Sequence, residues 1–402
     1  MSSPATTNGT PSTTTANGTP AAATATTNGS SSAGAAATSS ALPAALQTAV
    51  LGESESMPEG SVPVRGYDFN HGCDMDALMG SLLQTGFQAT NLGLAIEEVR
   101  KMRAWRLSDE PVAADEDEEL RDPAARAKVR TTIFMGFTSN MISAGTREII
   151  RWLVEHKKVQ CLVTTGGAIE EDLMKCMRPH YMGTTAEQDG FELRGSDLRK
   201  RGINRIGNLL VPNNNYCVFE DWMTPILDVM LAEQKEGGRV WSPQQMIARL
   251  GKEIDNRESV LYWAYKNDIP IYCPAITDGS IGDMVYFHSF KNPGLVLDIA
   301  QDIRTLNNLA LKARHTGMLI FGGGLVKHHI CNANLMRNGA NHAVFVNTGE
   351  AFEGSDSGAT PDEAVSWGKI RADARPIKVH AEATLIMPLL VSQTFAKESP
   401  FD

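Results

Sequence analysis

From residue 132 onward the chain alternates between two hydrophobic patterns. Short apolar, β-prone runs occupy 132–137, 159–163, 269–273, 318–321, 343–346 and 377–380, and each gives way to small or polar residues and then to a stretch with helical periodicity. Such brief, β-prone runs predict strands, because a buried helix needs a longer apolar pattern. Strands separated by helices need right-handed crossovers and therefore line up in parallel. The pattern predicts an α/β protein with a doubly wound, mostly parallel, Rossmann-like sheet and helices on both faces. Ahead of it, 73–83 and 91–106 have the period of helices. In the second, Leu92, Leu94, Ala95, Val99 and Met102 fall near one face, with Asn91 as the expected cap. The expected organisation is an N-terminal helical extension over 56–110 and an α/β domain over 111–402.

Composition sets the start of the chain apart. No charged side chain precedes Glu53, and residues 1–55 are mostly Ala, Thr, Ser, Gly, Asn and Pro. Such a segment buries too little apolar surface to offset its ordering entropy, so a disordered tail is expected. Asn8, Asn17 and Asn28 each open a glycosylation acceptor pattern, yet no charged-then-apolar leader precedes them, and they read as accidents of composition. No apolar run is long enough to cross a bilayer. The six cysteines, Cys73, Cys161, Cys176, Cys217, Cys273 and Cys331, form no Cys-x-x-Cys pair, and several sit in apolar runs. Reduced, buried thiols in the cytoplasm are expected. The net charge of -10 argues against nonspecific nucleic-acid binding and is compatible with cationic ligands. Half of it comes from the acidic run 115–119, expected to be a solvated loop.

In a parallel sheet, ligands sit outside the carboxyl ends of the strands. The loops at those ends are rich in small residues: Thr138 to Ser143, Thr164 to Gly167, Thr277 to Asp283, Gly322-Gly323-Gly324, Asn347-Thr348-Gly349 and Ala381 to Ala383. Small residues let backbone amides approach a pyrophosphate, and helix starts offer free N–H donors. None is a clean Gly-x-Gly-x-x-Gly, so the pattern leaves both dinucleotide binding and a plain tight turn open. After the glycine turn, Lys327, His328, His329, Asn332 and Asn334 gather at one helix start. Adjacent histidines point about 100° apart on a helix, so they do not share a metal ion, and no zinc site is expected. An imidazole there can serve as a general base or be satisfied structurally by hydrogen bonds.

The segment Gly354-Ser-Asp-Ser-Gly-Ala-Thr-Pro-Asp-Glu-Ala-Val-Ser-Trp-Gly-Lys369 concentrates chemistry further. It sets Asp356, Asp362, Glu363 and the indole of Trp367 near one lysine. Carboxylates and an indole face attract an organic cation, and a desolvated lysine is an amine nucleophile. The bland alternative is a surface loop entering a helix, with Pro361 in its first turn and Asp362 and Glu363 as its N-terminal acids.

That segment resembles the active-site segment of deoxyhypusine synthases, which use NAD and spermidine to build an aminobutyl group onto one lysine of translation initiation factor 5A. The likeness runs from about Tyr67 to Ala396 and leaves out the first fifty or so residues. It implies that Lys369 carries the aminobutyl group as an imine and that His328 is the active-site base. It implies NAD contacts at Ser139, Ser143, Thr165, Gly166, Gly167, Asp278, Thr348 and Glu382. It implies spermidine contacts at Glu171, Asp283, Asn332, Asp356 and Glu363, with Trp367 against the methylene chain. The partners implied are the factor 5A precursor and further copies of the chain, in a homotetramer of two dimers whose sites lie at the dimer interface. The helix near 73–83 is the candidate for a segment that plugs a neighbouring site. The chain departs from the family's usual Ala-Gly-Gly at Gly166-Gly167-Ala168, Asn-Thr-Ala at Asn347-Thr348-Gly349 and Asp at Glu382, all in the expected cofactor pocket. Extra residues around 184–190 imply a longer surface loop. Two alternatives stay open: a homospermidine synthase, which passes the same group to putrescine, and a catalytically inactive partner subunit.

Overall fold

The computed structural model describes residues 44–397, divided into two compact units at Ser61/Val62. Most of the expected tail lies outside the described residues. Its last part contains a seven-residue helix, Ala44–Val50, inside the stretch expected to be disordered.

The larger unit is built on nine strands: β1 Thr132–Phe137, β2 Cys161–Val163, β3 Tyr181–Met182, β4 Ile203–Ile206, β5 Leu209–Pro212, β6 Ile271–Tyr272, β7 Thr316–Phe321, β8 His342–Asn347 and β9 Ile377–His380. Six of them form one parallel sheet in the order β6-β2-β1-β7-β8-β9. Numbered by their own succession that is 3-2-1-4-5-6, the doubly wound order, which reverses direction between β1 and β7. All six coincide with predicted runs. β3, β4 and β5 form a small antiparallel sheet that the pattern did not predict, and residues 184–190 lie in the connection from β3 to β4.

Alternate side chains explain why the strands are apolar throughout. Ile133, Met135, Phe137, Leu319, Phe321, Val344 and Val346 pack into one core cluster, and Phe134, Met318, Ile320, Ala343 and Phe345 into the other. Both faces are covered, so neither half of the period-two pattern needs to be polar. Two glycines set how closely helices approach. A Cβ at Gly136 would lie 2.7 Å from Ile330, on the helix Gly324–Leu335, and one at Gly317 would lie 2.5 Å from Met102, on the helix Phe87–Ala104.

The N-terminal helices belong to the same compact unit as the sheet. Arg100 and Arg103 donate to the carbonyls of Gln393 and Thr394, and Glu98 meets His342 at 2.6 Å. The helix Phe87–Ala104 starts four residues before Asn91, with Gly86 rather than Asn91 at its cap position, and Leu94 is exposed. The plug candidate, Met75–Thr85, packs on this helix of its own chain through Leu83 against Gly93, and Met79 enters the core. The acidic run is not wholly solvated: Glu116 is buried and paired with Arg126 at 2.9 Å and Arg314 at 2.8 Å. All six cysteines are free, but Cys73 and Cys217 are exposed rather than buried. Among the described residues no helix is long and apolar enough to cross a membrane.

Candidate active site

The reversal of strand order opens a crevice between the carboxyl ends of β1 and β7. Gly322 has φ 117, and a Cβ there would lie 2.8 Å from Thr138 Oγ1; one at Gly323 would lie 2.4 Å from Ser357 Oγ. This turn therefore accepts only glycine without rearrangement, and it brings the loop after β8 down onto the crevice. The helix Gly324–Leu335 starts there and carries Lys327, His328 and Asn332.

That helix and the segment after β8 enclose a cavity of about 380 Å³, lined by Lys327, His328, Cys331, Asn332, Asp356, Glu363, Trp367 and Lys369 among others. Lys369 is half-buried, its backbone fixed by Lys369 N–H donating to Ala364 and by Ala340 N–H donating to the Lys369 carbonyl. Its ammonium lies 5.6 Å from the Trp367 ring centroid. Trp367 is 64% exposed. Asn332 Nδ2 lies 3.2 Å from His328 Nδ1, one helical turn away, and so holds the imidazole orientation. Pro361–Ser366 forms the predicted short helix with Asp362 and Glu363 in its first turn. Asp356 Oδ2 is buried with no hydrogen-bond partner. A carboxylate oxygen without a partner, lining a cavity beside an indole, has the chemistry to accept a cation.

The remaining predicted residues gather on the other side of the crevice. Ser139 N–H donates to Thr165 Oγ1 at 3.1 Å, joining the ends of β1 and β2. A Cβ at Gly167 would touch Ser139 at 3.0 Å, and one at Gly166 would lie 2.7 Å from the Asp278 carbonyl. Glu171, on the helix Gly166–Met177, is hydrogen-bonded by Ser143, and burial pushes its carboxyl up to about 7. Its Oε2 is likewise buried without a partner, 3.9 Å from His180, whose ring burial pushes down to about 4. The neighbouring Glu170 is also pushed up to about 7 by burial and accepts from Ile281 N–H at 2.8 Å. Asp283, one turn into the helix Ser280–Lys291, is exposed and lines a second cavity of about 490 Å³ with Tyr216 and Phe287.

Hence the structure brings Lys369, His328, Asn332, Asp356, Glu363 and Trp367 together, and separately Ser139, Ser143, Thr165, Gly166, Gly167, Glu171, Asp278 and Asp283. β6 and β8, which lead to Asp283 and Asp356, stand four strand spacings apart, about 19 Å. Thr348 is exposed at the end of β8. Glu382 caps the helix Ala383–Gln393, accepting from Thr384 N–H and Leu385 N–H, which holds its carboxyl below the usual range. Sequence reasoning missed Cys331 and Glu170; a Glu-Glu pair one turn into a glycine-started helix was the available signal for the latter. A cleft of about 250 Å³ beside the helix Pro243–Ile254 has Asp268 as its one charged lining residue and lies at the opposite end of β6.

Comparison with known proteins bears on the family of the chain. The family model for deoxyhypusine synthase matches residues 77–394. Deoxyhypusine synthase of Senecio vernalis is 58% identical over 353 residues, 87% of this chain and 94% of that protein, and that of Arabidopsis thaliana is 56% identical over 356 residues, 88% and 95%. A crystal structure of a candidate deoxyhypusine synthase from Entamoeba histolytica superposes with a TM-score of 0.59 at 34% identity, covering 83% of this chain and 97% of that one. Identity above one half across nearly nine-tenths of the chain, spanning both sides of the crevice, is far more than a common fold requires, and the chain belongs to the deoxyhypusine synthase family of enzymes.

Proposed function

We propose that the chain takes the aminobutyl group of spermidine and adds it to one lysine of the translation initiation factor 5A precursor, with NAD as hydride carrier and Lys369 as covalent relay. The observation that carries this reading is one cavity holding a half-buried lysine, an imidazole and an unpartnered carboxylate oxygen, Asp356 Oδ2. Spermidine is a flexible polycation. Carboxylates spaced along a slot fix its ammonium groups, and the Trp367 face packs against the methylenes between them.

The crevice fits a dinucleotide, because its floor at Gly322 and Gly323 has no room for a side chain and two helices start beside it. Ser139, Ser143, Thr165, Gly166, Gly167, Asp278 and Thr348 would hold NAD. Glu382 is the least suited, since its carboxylate is engaged as a cap. NAD, when bound, supplies the acceptor for a hydride from the polyamine carbon and the source of its return. His328 takes the accompanying proton, with Asn332 setting its tautomer. Lys369 Nζ then attacks the carbon of the substrate imine, and 1,3-diaminopropane leaves with its nitrogen lone pair. Lys369 is left holding the aminobutyl group as an imine, which the acceptor lysine displaces before reduction.

The two groups of residues are too far apart in one chain to grip one polyamine together. This supports a homotetramer of two dimers, in which the Glu171 side of one copy faces the Lys369 side of its partner. Exposed Tyr286, Phe287 and Phe290 beside Asp283 offer an apolar rim for that contact. The cytoplasm, where thiols stay reduced, is the proposed location, with neither nucleic acid nor membrane as a partner.

The test is borohydride reduction of the enzyme mixed with NAD and labelled spermidine. Label is expected on Lys369, and Lys369→Arg should abolish transfer while spermidine and NAD still bind, because arginine keeps the charge but is not a usable nucleophile. Label on another lysine, or turnover by the arginine variant, would reject the assignment. Parallel assays with putrescine and with the factor 5A precursor separate the two acceptor classes.

A further inference from the structure

The loop Gly349–Ala359 delivers Asp356 to the cavity, and two lysines from elements on either side grip it. Lys327, on the helix that follows β7, donates to the carbonyls of Asp356 at 2.5 Å and Ala359 at 2.9 Å. Lys378, on β9, donates to those of Gly349 at 2.7 Å and Gly358 at 2.9 Å. β8, from which the loop departs, lies between β7 and β9 in the sheet, so the loop is held from both flanks and at both ends.

Lys327 is only 3% exposed, yet it spends its donors on main-chain oxygens and leaves Asp356 Oδ2 without a partner. This differs from what electrostatics alone would favour. A buried ammonium beside a carboxylate ordinarily forms an ion pair, and such a pair would close the cavity to a cationic ligand. Donation to the backbone fixes the loop and keeps the carboxylate oxygen available. It also separates Lys327 from Lys369: both line the cavity, but the Lys327 nitrogen is tied to two carbonyls and is not placed to act as a nucleophile.

The loop is packed as tightly as it is bonded. A Cβ at Gly349 would lie 2.8 Å from Gly358 N, and one at Gly358 would lie 1.9 Å from the Glu350 carbonyl. The departure Gly349 is therefore part of the clamp, giving the loop's two ends room to touch. Burial depresses the ionisation of both lysines, which is the cost of holding two ammonium groups here; the carbonyl dipoles offset it.

We propose that Lys327 and Lys378 are positioning residues that together hold the loop Gly349–Ala359 so that Asp356 presents an unpaired carboxylate oxygen to the polyamine. The proposal rests on the function proposed above, but its structural half can be read without substrate. Lys378 does not line the cavity, so its variants test positioning without touching ligand.

Three quantities should be measured on the full chain and on Lys378→Met, Lys378→Arg and Lys327→Met: amide exchange in peptides covering 349–359, the KM for spermidine against kcat, and the melting temperature. In both methionine variants, exchange in 349–359 should quicken by about tenfold and the spermidine KM should rise by about tenfold, with a smaller change in kcat, as expected for losing charged hydrogen bonds. Lys378→Arg should restore most of the KM. Unchanged exchange in 349–359, or faster exchange spread over the whole chain with a matching fall in melting temperature, would overturn the clamp. Faster loop exchange with an unaltered spermidine KM would overturn its positioning role. Lack of spermidine turnover by the unaltered enzyme would count against the proposed function, while the exchange result would still decide the clamp.

Discussion

Two aspartates in this molecule differ in how their carboxylates are used. Asp172, on the helix Gly166–Met177, is fully buried. Its carboxylate accepts from Arg147 Nε at 2.7 Å, Ser259 Oγ at 2.6 Å, Val260 N–H at 3.1 Å and Leu261 N–H at 3.1 Å. Asp356, at the cavity, keeps Oδ2 buried and unpaired. The difference teaches that satisfaction, rather than burial or motif, separates a structural acid from one that awaits a ligand. Asp172 locks a helix start and an arginine into the body, whereas Asp356 has an acceptor to spare.

The largest effect expected concerns the division of the site between copies. Lys369→Ala and Glu171→Ala should each lower turnover by at least about a hundredfold, yet co-expressed subunits should recover about a quarter of normal turnover. In a mixed dimer one site then has both defects and the other has neither. Failure of the mixture to exceed either parent would place both halves within one copy.

The aspartate comparison is itself open to direct challenge. Asp172→Asn should destabilise the fold by about 3–5 kcal/mol, because it leaves a buried guanidinium uncompensated. Asp356→Asn should leave the melting temperature essentially unchanged and weaken spermidine binding by about 2–5 kcal/mol. Calorimetric melts and binding isotherms read these outcomes separately. A large loss of stability from Asp356→Asn would mean that its carboxylate is structural after all.

A smaller effect follows from the Glu171 carboxyl, raised from 4.5 to about 7 by burial. Its proton is held more tightly in the folded chain than in the unfolded one. The stability it contributes is therefore complete below pH 4.5 and is lost as pH rises to about 7. Glu171→Gln should flatten the stability profile in that window. Spermidine affinity of the unaltered enzyme should climb by about tenfold as pH passes through that region, since only the ionised carboxylate pairs with an ammonium. An unchanged profile in the glutamine variant would assign the titration to Glu170.

The smallest effect expected is that of removing residues 1–50. With no charge before Glu53 and few large apolar side chains, the segment has little to add to a core, so melting temperature and initial rates should stay within error. A clear fall in melting temperature would show that it packs. Altered rates at constant melting temperature would show that it tunes access to the site.

Five of the six strands of the main sheet were legible because each is buried on both faces, so an apolar run marks them without reference to neighbours, whereas the edge strand β9 turns only Ile377 and Val379 toward a core. β3, β4 and β5 were not, since Tyr181, Met182 and Arg205 are exposed and the runs are two to four residues long. Asn91 resembles a cap, but Gly86, at φ 101, already turns the chain into the helix five residues earlier. Glu116 looked solvated because its partners, Arg126 and Arg314, come from other elements.

By itself, then, the sequence determined the alternation of strand and helix, the glycine turn after β7 and the cluster from Asp356 to Lys369. These depend on residues close along the chain, where periodicity and spacing act directly. Only the tertiary structure decided which acids are satisfied and which are not, that Lys327 and Lys378 grip one loop, and that Glu171 and Asp283 lie far from Lys369. Those properties follow from strand order and from which distant donors reach each oxygen, and the order β6-β2-β1-β7-β8-β9 sets the strands that lead to Asp283 and Asp356 four spacings apart.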